Sequence, residues 1–357
     1  MFPGLRPGPR AGLAFAFGAL GAVNGGMHLG HVTKHGAAGS DVTGVLAAAA
    51  AGVLLGLAAV IPWRHRGEGA ATARRRWVRR AVAVPVGLLG LFVVLGPMGM
   101  GVGAAHKWRE PIGAPPAGVY EDVTFRASDG LELAGWYAPS RNGAAVLVLH
   151  GGSSDRRGAA AHAQMLARHG YGVLLYDARG RGESDGSENN YGWDWVKDVD
   201  GALAFLAARE DVEPGRIGAV GLSTGADALI QAAARRPAIA ALVTDGAAAG
   251  SFADWHHLRG IELGAAPGWV MFSTLRVVSG DAPGPPLDEA MARIESPTLL
   301  ISAGRDVERE FNARYAAASH GRAEHWNLPA ATHTRAIRSD RTAYERRVVR
   351  FLDSALR

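Results

Sequence analysis

The sequence predicts an α/β fold in which a mostly parallel sheet is covered by helices on both faces, preceded by an N-terminal apolar helical segment. In the second part of the chain, short continuous apolar runs alternate with longer helical patterns, as in sheets that are buried on both faces. Polar residues follow several of these runs directly, where ligands bind in such sheets. Residues 1–106 differ in composition, because long apolar stretches dominate them.

Length, charge and cysteine content limit the domain organisation, the site chemistry and the partners that the protein can have. The 357 residues suit one large domain with an additional segment. The absence of cysteine excludes disulfides, thiolate metal sites and a cysteine nucleophile. The formal net charge of +5 is unevenly distributed, since seven arginines lie between positions 64 and 80. The remainder is close to neutral, so we expect no nucleic-acid partner.

Residues 1–106 are predicted to form a transmembrane region of about three helices. The apolar runs cover residues 11–32, 42–63 and 81–105, and each is close to the roughly 20 residues that cross a bilayer as a helix. The second and third runs contain no charged residue. The first is interrupted by glycines and polar residues, and it is either a span or a secretory signal that follows Arg6 and Arg10.

The distribution of basic residues predicts the orientation. The arginines between the second and third runs indicate a cytoplasmic loop, whereas the connection between the first two runs offers only Lys34. We therefore expect a multi-pass protein of the cytoplasmic membrane, with the lipid bilayer as a partner and the C-terminal domain outside the cytoplasm. Lys107 and Arg109 argue mildly against this orientation.

A linker at residues 107–118 leads into a domain predicted at 119–357. Alternating stretches at 120–127 and 131–138 flank Asp129-Gly130, which predicts an antiparallel hairpin. Further strands are expected at 144–149, 172–176, near Ile217, and at 239–244, 298–302 and 323–328. Helices are expected near 193–209, from the Ile217 strand to Arg235, near 308–319, and at the C-terminus to Leu356.

The stretch Gly221-Leu222-Ser223-Thr224-Gly225 joins the Ile217 strand to an alanine-rich helix. A serine on such a sharp turn needs small neighbours, because larger side chains would collide with the backbone of the turn. The N-terminus of the following helix offers N–H groups that favour developing negative charge. Ser223 is therefore the candidate nucleophile, although glycine-rich strand–helix junctions also occur without catalysis.

A serine nucleophile needs a base, and the base needs a third group to orient it. Asp306 lies on a glycine-containing loop after the strand at 298–302, and His333 lies on the loop after the last strand. The chain order Ser223, Asp306, His333 predicts a catalytic triad whose members each follow their own strand.

The strand at 144–149 ends in His150-Gly151-Gly152. We expect the backbone N–H groups of Gly152 and Thr224 to form an oxyanion hole, in which one donor typically contributes about 3 kcal/mol of transition-state stabilisation. His150 precedes the nucleophile in the chain and is expected to shape this loop.

Residues 119–353 resemble the α/β-hydrolase superfamily, especially its membrane-associated serine hydrolases and prolyl-oligopeptidase-like esterases. The resemblance rests on the hairpin that ends in Gly135-Trp136-Tyr137, on the elbow and its ordered partners, and on Tyr176-Asp177-Ala178-Arg179-Gly180-Arg181-Gly182-Glu183-Ser184-Asp185-Gly186. It implies hydrolysis of a small-molecule ester or acyl substrate through an acyl-enzyme, without a metal or organic cofactor. An oligopeptidase-like peptidase, an acyltransferase and a ligand-binding protein without activity are the alternatives.

Some assignments stay open. Relatives often continue from the acid to a Val-Pro pair, whereas this chain reads Val307-Glu308-Arg309-Glu310, so Glu308 or Glu310 is an alternative to Asp306. His320 and His325 are rivals of His333, but neither lies on the loop after the last strand.

Residues 246–296 are predicted to form a lid or cap. The aromatic and apolar side chains of this segment either line an acyl-chain pocket, rest on the nearby bilayer or pack over the sheet. The side chains concerned are Trp255, His256, His257, Trp269, Met271 and Phe272.

Overall fold

The computed structural model describes residues 96–105, 109–115, 120–186, 191–259, 265–304 and 307–356, together with Gly12, Ala14, Phe15, Gly18 and Val53. These residues divide into two compact units, one within Met1–Gly103 and Glu262–Val278 and the other within Ala104–Ile261 and Ser279–Arg357. Most of the three predicted transmembrane runs lies outside the described residues. Within the described ranges, no helix combines the length and apolar character that crossing a membrane requires.

Eight strands form a single sheet in the larger unit. They are β1 (Glu121–Arg126), β2 (Glu132–Ala138), β3 (Ala145–Leu149), β4 (Gly172–Tyr176), β5 (Ile217–Leu222), β6 (Ala241–Asp245), β7 (Thr298–Ala303) and β8 (Ala323–Leu328). Their order is β1-β2-β4-β3-β5-β6-β7-β8. The β1–β2 and β2–β4 pairs are antiparallel, and every other neighbouring pair is parallel. The carboxyl ends of β3 to β8 therefore meet at one edge.

The predicted hairpin is confirmed between β1 and β2. Gly130 has φ +87°, a conformation that glycine adopts without strain. Its N–H donates to the carbonyl oxygen of Ala127 at 2.9 Å, which closes the turn.

Helices cover both faces of the sheet. In chain order the helices of the described ranges, apart from a short 3₁₀ turn, are α1 (Gly96–Ala105), α2 (Ala160–Arg168), α3 (Trp195–Ala207), α4 (Thr224–Ala233), α5 (Phe252–Arg259), α6 (Ala266–Ser279), α7 (Leu287–Arg293), α8 (Val307–Ala318), α9 (Ala336–Ser339) and α10 (Arg341–Ala355). Alternate side chains of β3 enter different apolar clusters: Leu147 and Leu149 join one, and Val146 and Val148 join the other. Burial on both faces explains why β3 is apolar throughout.

This architecture confirms the predicted α/β-hydrolase fold class. β4 and β8 have the predicted bounds, and the ends of the other strands differ by one or two residues. Between β6 and β7 the chain forms α5, α6 and α7. The domain boundaries and the role of residues 246–296 as a lid stay predictions.

Candidate active site

Ser223 lies at the turn between β5 and α4 in a strained backbone conformation, with φ +51° and ψ −124°. Such a φ is uncommon for a residue with a side chain and persists only where surrounding bonds enforce it. The Ser223 N–H donates to the carbonyl oxygen of Asp245 at 2.9 Å, and its own carbonyl oxygen accepts from the N–H of Ala226 at 2.7 Å. These bonds hold the serine at the carboxyl edge of the sheet.

Gly221 and Gly225, two residues before and after Ser223, must be glycines because neighbouring backbone atoms lie too close for a side chain. A Cβ on Gly221 would lie 2.7 Å from Ala226 Cα, and a Cβ on Gly225 would lie 2.7 Å from the Leu149 carbonyl oxygen. Both distances are too short for real contacts. The strand–turn–helix geometry predicted for the Gly-x-Ser-x-Gly stretch is therefore present.

His333 lies on the loop after β8 and contacts the serine directly. Its Nε2 atom is 2.8 Å from Ser223 Oγ, and its Nδ1 atom is 2.6 Å from Glu308 Oε2. A histidine in this position can accept the hydroxyl proton through Nε2 while the carboxylate holds the Nδ1–H. The structure thus brings two of the predicted site residues, Ser223 and His333, into hydrogen-bond contact.

The carboxylate on His333 differs from the predicted one. Asp306 lies outside the described residues, and Glu308, which the sequence left as an alternative, occupies the position at Nδ1 that was expected for Asp306. Glu308 is the second residue of α8, and its Oε1 atom accepts a hydrogen bond of 2.6 Å from the Ala303 N–H at the end of β7. The longer glutamate side chain reaches from the first turn of the helix to both groups.

The electrostatics of the site favour protonation of His333. The hydrogen bond that His333 Nδ1 donates to Glu308 raises the pKa of His333 above its usual value despite partial burial, and the nearby carboxyl groups of Asp245 and Asp227 add to this effect. Burial also raises the pKa of Asp227 and that of Asp245 to about 7. His333 must be neutral to accept a proton, so the site can act as a base only above the raised pKa of His333.

Gly246 is a part of the site that the sequence analysis missed. It has φ +81°, and a Cβ there would lie 2.9 Å from Cε1 and 3.0 Å from Nδ1 of His333. Gly246 therefore leaves the space that the imidazole ring occupies. The signal available in the sequence was a glycine directly after the aspartate that ends a buried strand, at the edge where the other site residues lie.

The two predicted oxyanion donors lie on adjoining segments. A Cβ on Gly151 would lie 3.3 Å from Ser223 Cβ, and a Cβ on Gly152 would lie 2.6 Å from Thr224 Oγ1. Thr224 is the first residue of α4, where backbone N–H groups have no acceptor within the helix. The role of Gly152 and Thr224 in binding an oxyanion stays a prediction.

His150 holds the loop after β3 in place through buried hydrogen bonds. It is fully buried, with Nδ1 placed 2.8 Å from the Gly151 carbonyl oxygen, and its Nε2 atom accepts from the Ala178 N–H at 3.1 Å. These partners require the neutral ring with a proton on Nδ1. Burial lowers the pKa of His150 to about 4, which agrees with that form. His150 thus ties the loop after β3 to the loop after β4.

The motif after β4 braces this edge of the sheet. Asp177 is buried and accepts from the Arg156 N–H at 2.7 Å, from Arg156 Nη1 at 2.9 Å and from the Glu183 N–H at 3.0 Å. Arg179 pairs with Asp198 and Asp129 through its guanidinium group. These bonds fit a structural role for both residues.

The rival histidines have other surroundings. His325 lies within β8, and its Nε2 atom is 2.8 Å from Ser302 Oγ. His320 follows α8 with φ +53°. The contact with Ser223 therefore favours His333 as the base.

The fold and the contact between Ser223 and His333 are those of the class of serine hydrolases with the α/β-hydrolase fold. Residues 119–340, more than half of the chain, match the family described as X-Pro dipeptidyl-peptidase (S15 family). The chain belongs to this family.

Curated relatives match a shorter segment. An uncharacterised protein of Mycobacterium tuberculosis strain H37Rv is 38% identical over 125 residues, which cover 34% of this chain and 43% of that protein. Thiohydrolase aneE of Aspergillus aculeatus is 32% identical over 118 residues, which cover 32% of this chain and 37% of that protein. The chain thus spans less than half the length of these relatives.

Solved structures match a longer part of the chain. The esterase Pf2001 of Pyrococcus furiosus is 24% identical, with a TM-score of 0.57 over 71% of this chain and 100% of the esterase. The α/β hydrolase GrgF of Penicillium sp. sh18 is 18% identical, with a TM-score of 0.52 over 66% of this chain and 99% of GrgF. Both likenesses concern the fold.

Proposed function

We propose that the protein is a membrane-anchored serine hydrolase that cleaves carboxylic esters through an acyl-enzyme on Ser223. The observation that carries this proposal is the 2.8 Å contact between Ser223 Oγ and His333 Nε2 at a strained strand–helix turn. A hydroxyl in that position can lose its proton to the ring as it attacks a carbonyl carbon.

The mechanism follows from the positions of the groups. As Oγ of Ser223 bonds to the carbonyl carbon, its proton passes to Nε2 of His333, and Glu308 stabilises the charged ring through Nδ1. The N–H groups of Gly152 and Thr224 donate to the negative oxygen of the tetrahedral intermediate. His333 then gives its proton to the departing alkoxide. A water molecule, deprotonated by His333, releases the acid and restores Ser223.

A peptidase is the second candidate, because the family that the chain belongs to is described as X-Pro dipeptidyl-peptidase. The same acyl-enzyme forms from a peptide bond, with an amine in place of the alcohol as leaving group. We favour esters for two reasons. The Pyrococcus furiosus protein with a similar fold is described as an esterase, and the sequence resembles prolyl-oligopeptidase-like esterases. Fold alone does not decide between them.

Membrane anchoring is the second part of the proposal. The uncharged apolar runs at 42–63 and 81–105, and the arginines between them, support two or three spans with the hydrolase domain outside the cytoplasm. A reporter that is active only in the cytoplasm, fused after Arg357, should be silent. An active reporter would overturn the orientation.

The nucleophile is tested with a fluorophosphonate probe. The wild-type protein should be labelled, Ser223→Ala should not, and Ser153→Ala should be labelled like the wild type, because Ser153 is an exposed serine on the neighbouring loop. An unlabelled wild type, or a labelled Ser223→Ala variant, would overturn the mechanism. Rates on p-nitrophenyl esters of increasing chain length are then compared with rates on X-Pro p-nitroanilides. Faster cleavage of the anilides would favour the peptidase.

A further inference from the structure

Helix α6 touches helix α1 at Gly101 within the smaller unit, although along the chain α6 falls between β6 and β7. The approach is close at Gly101, where a Cβ would lie 2.6 Å from the Met271 carbonyl oxygen and 3.0 Å from Thr274 Cβ. Only a residue without a side chain allows this separation. Helices that pair inside membranes use small residues in the same way.

The side of α6 that is buried is apolar. Phe272 is 5% exposed and Leu275 is 0% exposed. Among the described residues, neither belongs to the two apolar clusters that cover the faces of the sheet. The burial of Phe272 and Leu275 therefore belongs to the smaller unit.

The other side of α6 exposes large apolar groups. Trp269 is 57% exposed and Val277 is 83% exposed, and Met100 on α1 is 61% exposed. The fourteen residues of α6 contain one charged side chain, Arg276, in the last turn. Exposed apolar groups on a helix with a single charge are compatible with contact to a lipid bilayer.

We propose that α6 and α1 form a helix pair seated in the interface of a lipid bilayer, so that a segment inserted between two strands of the hydrolase sheet is itself a membrane contact. This inference rests on the membrane anchoring proposed above. α1 is the end of the apolar run at 81–105, which contains no charged residue, and α6 touches this run at Gly101.

The composition of α6 fits an interfacial position rather than a span. Its 14 residues are fewer than the roughly 20 that cross the hydrocarbon core. Trp269 near one end and Arg276 near the other are residues that place polar groups at the headgroups, while Val277 meets the acyl chains. A lipid surface therefore fits both the apolar and the charged groups of the exposed side.

The absence of cysteine permits a direct test. Single cysteines are introduced by Val277→Cys on α6 and, as a matched control, by Thr342→Cys at an exposed position of α10 in the larger unit. Each full-length variant carries a fluorescent label and is reconstituted in phosphatidylcholine vesicles, and only protein that floats with the vesicles is measured. The label at 277 should be quenched several-fold by brominated acyl chains and little by iodide, and the label at 342 should show the reverse.

Three outcomes would overturn the proposal. One is a label at 277 that iodide quenches as strongly as the label at 342. The second is a label at 277 shielded from both quenchers, which would indicate a protein partner or a second copy of the chain. The third concerns two substitutions that are each added to Val277→Cys. Gly101→Leu should change the quenching of the label at 277, because the bulky side chain must separate the helices, whereas the control Met100→Leu should not. No change with Gly101→Leu would overturn the proposal.

Failure of the inference is distinguishable from failure of the proposed function. Fluorophosphonate labelling of Ser223 is measured in the same vesicles. Reactive Ser223 with an aqueous label at 277 overturns the membrane position of α6 and leaves the hydrolase intact. Unreactive Ser223 with a lipid-quenched label at 277 overturns the proposed hydrolase and leaves the membrane position of α6 intact.

Discussion

Glu308 contacts His333 with one carboxylate oxygen and the end of strand β7 with the other. Oε2 lies 2.6 Å from His333 Nδ1, and Oε1 accepts a 2.6 Å hydrogen bond from the Ala303 N–H. The carboxylate is therefore fixed at both oxygens. A carboxylate fixed in this way keeps the proton on Nδ1 and leaves Nε2 able to accept the proton of Ser223.

Glu308→Gln should lower kcat/KM for a p-nitrophenyl ester by about 10³–10⁴-fold, because an amide can present its NH₂ group to Nδ1 and favour the wrong tautomer. Circular dichroism and thermal denaturation should remain close to those of the wild type. Asp306→Asn and Glu310→Gln are the matched controls and should retain activity. A large loss in Asp306→Asn with a small one in Glu308→Gln would restore Asp306 as the acid.

The pH dependence of kcat/KM should report the pKa of His333. Glu308 raises that pKa above its usual 6.5, and only the neutral ring accepts a proton. Activity should therefore fall as the pH falls through the raised pKa, and it should reach a plateau above it. In Glu308→Gln the largest cause of the shift is gone, so the acidic limb of the residual activity should move to lower pH. A limb at the same pH in both proteins would contradict the assignment.

The sequence was informative where local geometry dictates residue type. Ser223 could be located because its turn requires glycine at 221 and 225, and His333 because it follows the last strand in the order that a triad needs. The sheet could be predicted because strands buried on both faces are apolar throughout.

The acid could not be settled from the sequence. Asp306 and Glu308 are two residues apart, so the choice depends on where α8 begins and on the reach of one additional methylene group. The position of Gly246 against His333 depends on how two distant loops meet. Pairing of α6 with α1 could not be predicted either, because it joins segments more than 160 residues apart in the chain.

Gly246→Ala should lower kcat by about 10²-fold, since a displacement of about 1 Å in a catalytic group has an effect of that size. The added Cβ would lie 2.9 Å from His333 Cε1, so the ring must move. Gly130→Ala is the matched control, because Gly130 also has a positive φ but a Cβ there meets nothing within 4 Å. Both variants should lose stability, by about 1 kcal/mol or more. Equal activity in the two variants would show that Gly246 does not position His333.

Asp245 should make the stability of the protein depend on pH. Its carboxyl group is buried and accepts from Tyr344 Oη at 3.1 Å, and burial raises its pKa from 3.8 to about 7. Because the pKa is higher in the folded state, the folded protein keeps a proton that the unfolded chain releases. The stability that this proton contributes is present in full below the unfolded pKa and is lost as the pH rises through about 7.

Asp245→Asn removes this titration and keeps an oxygen that can accept from Tyr344. The Tm of the variant relative to the wild type should therefore increase as the pH is raised from about 5 to 8, by several degrees in total. Asp122→Asn, at an exposed position of β1, should change the wild-type Tm equally at all pH values. Thermal denaturation of the full-length proteins in detergent across that range provides the measurement. A Tm difference for Asp245→Asn that does not vary with pH would mean that the carboxyl group is already charged in the folded protein at the lowest pH.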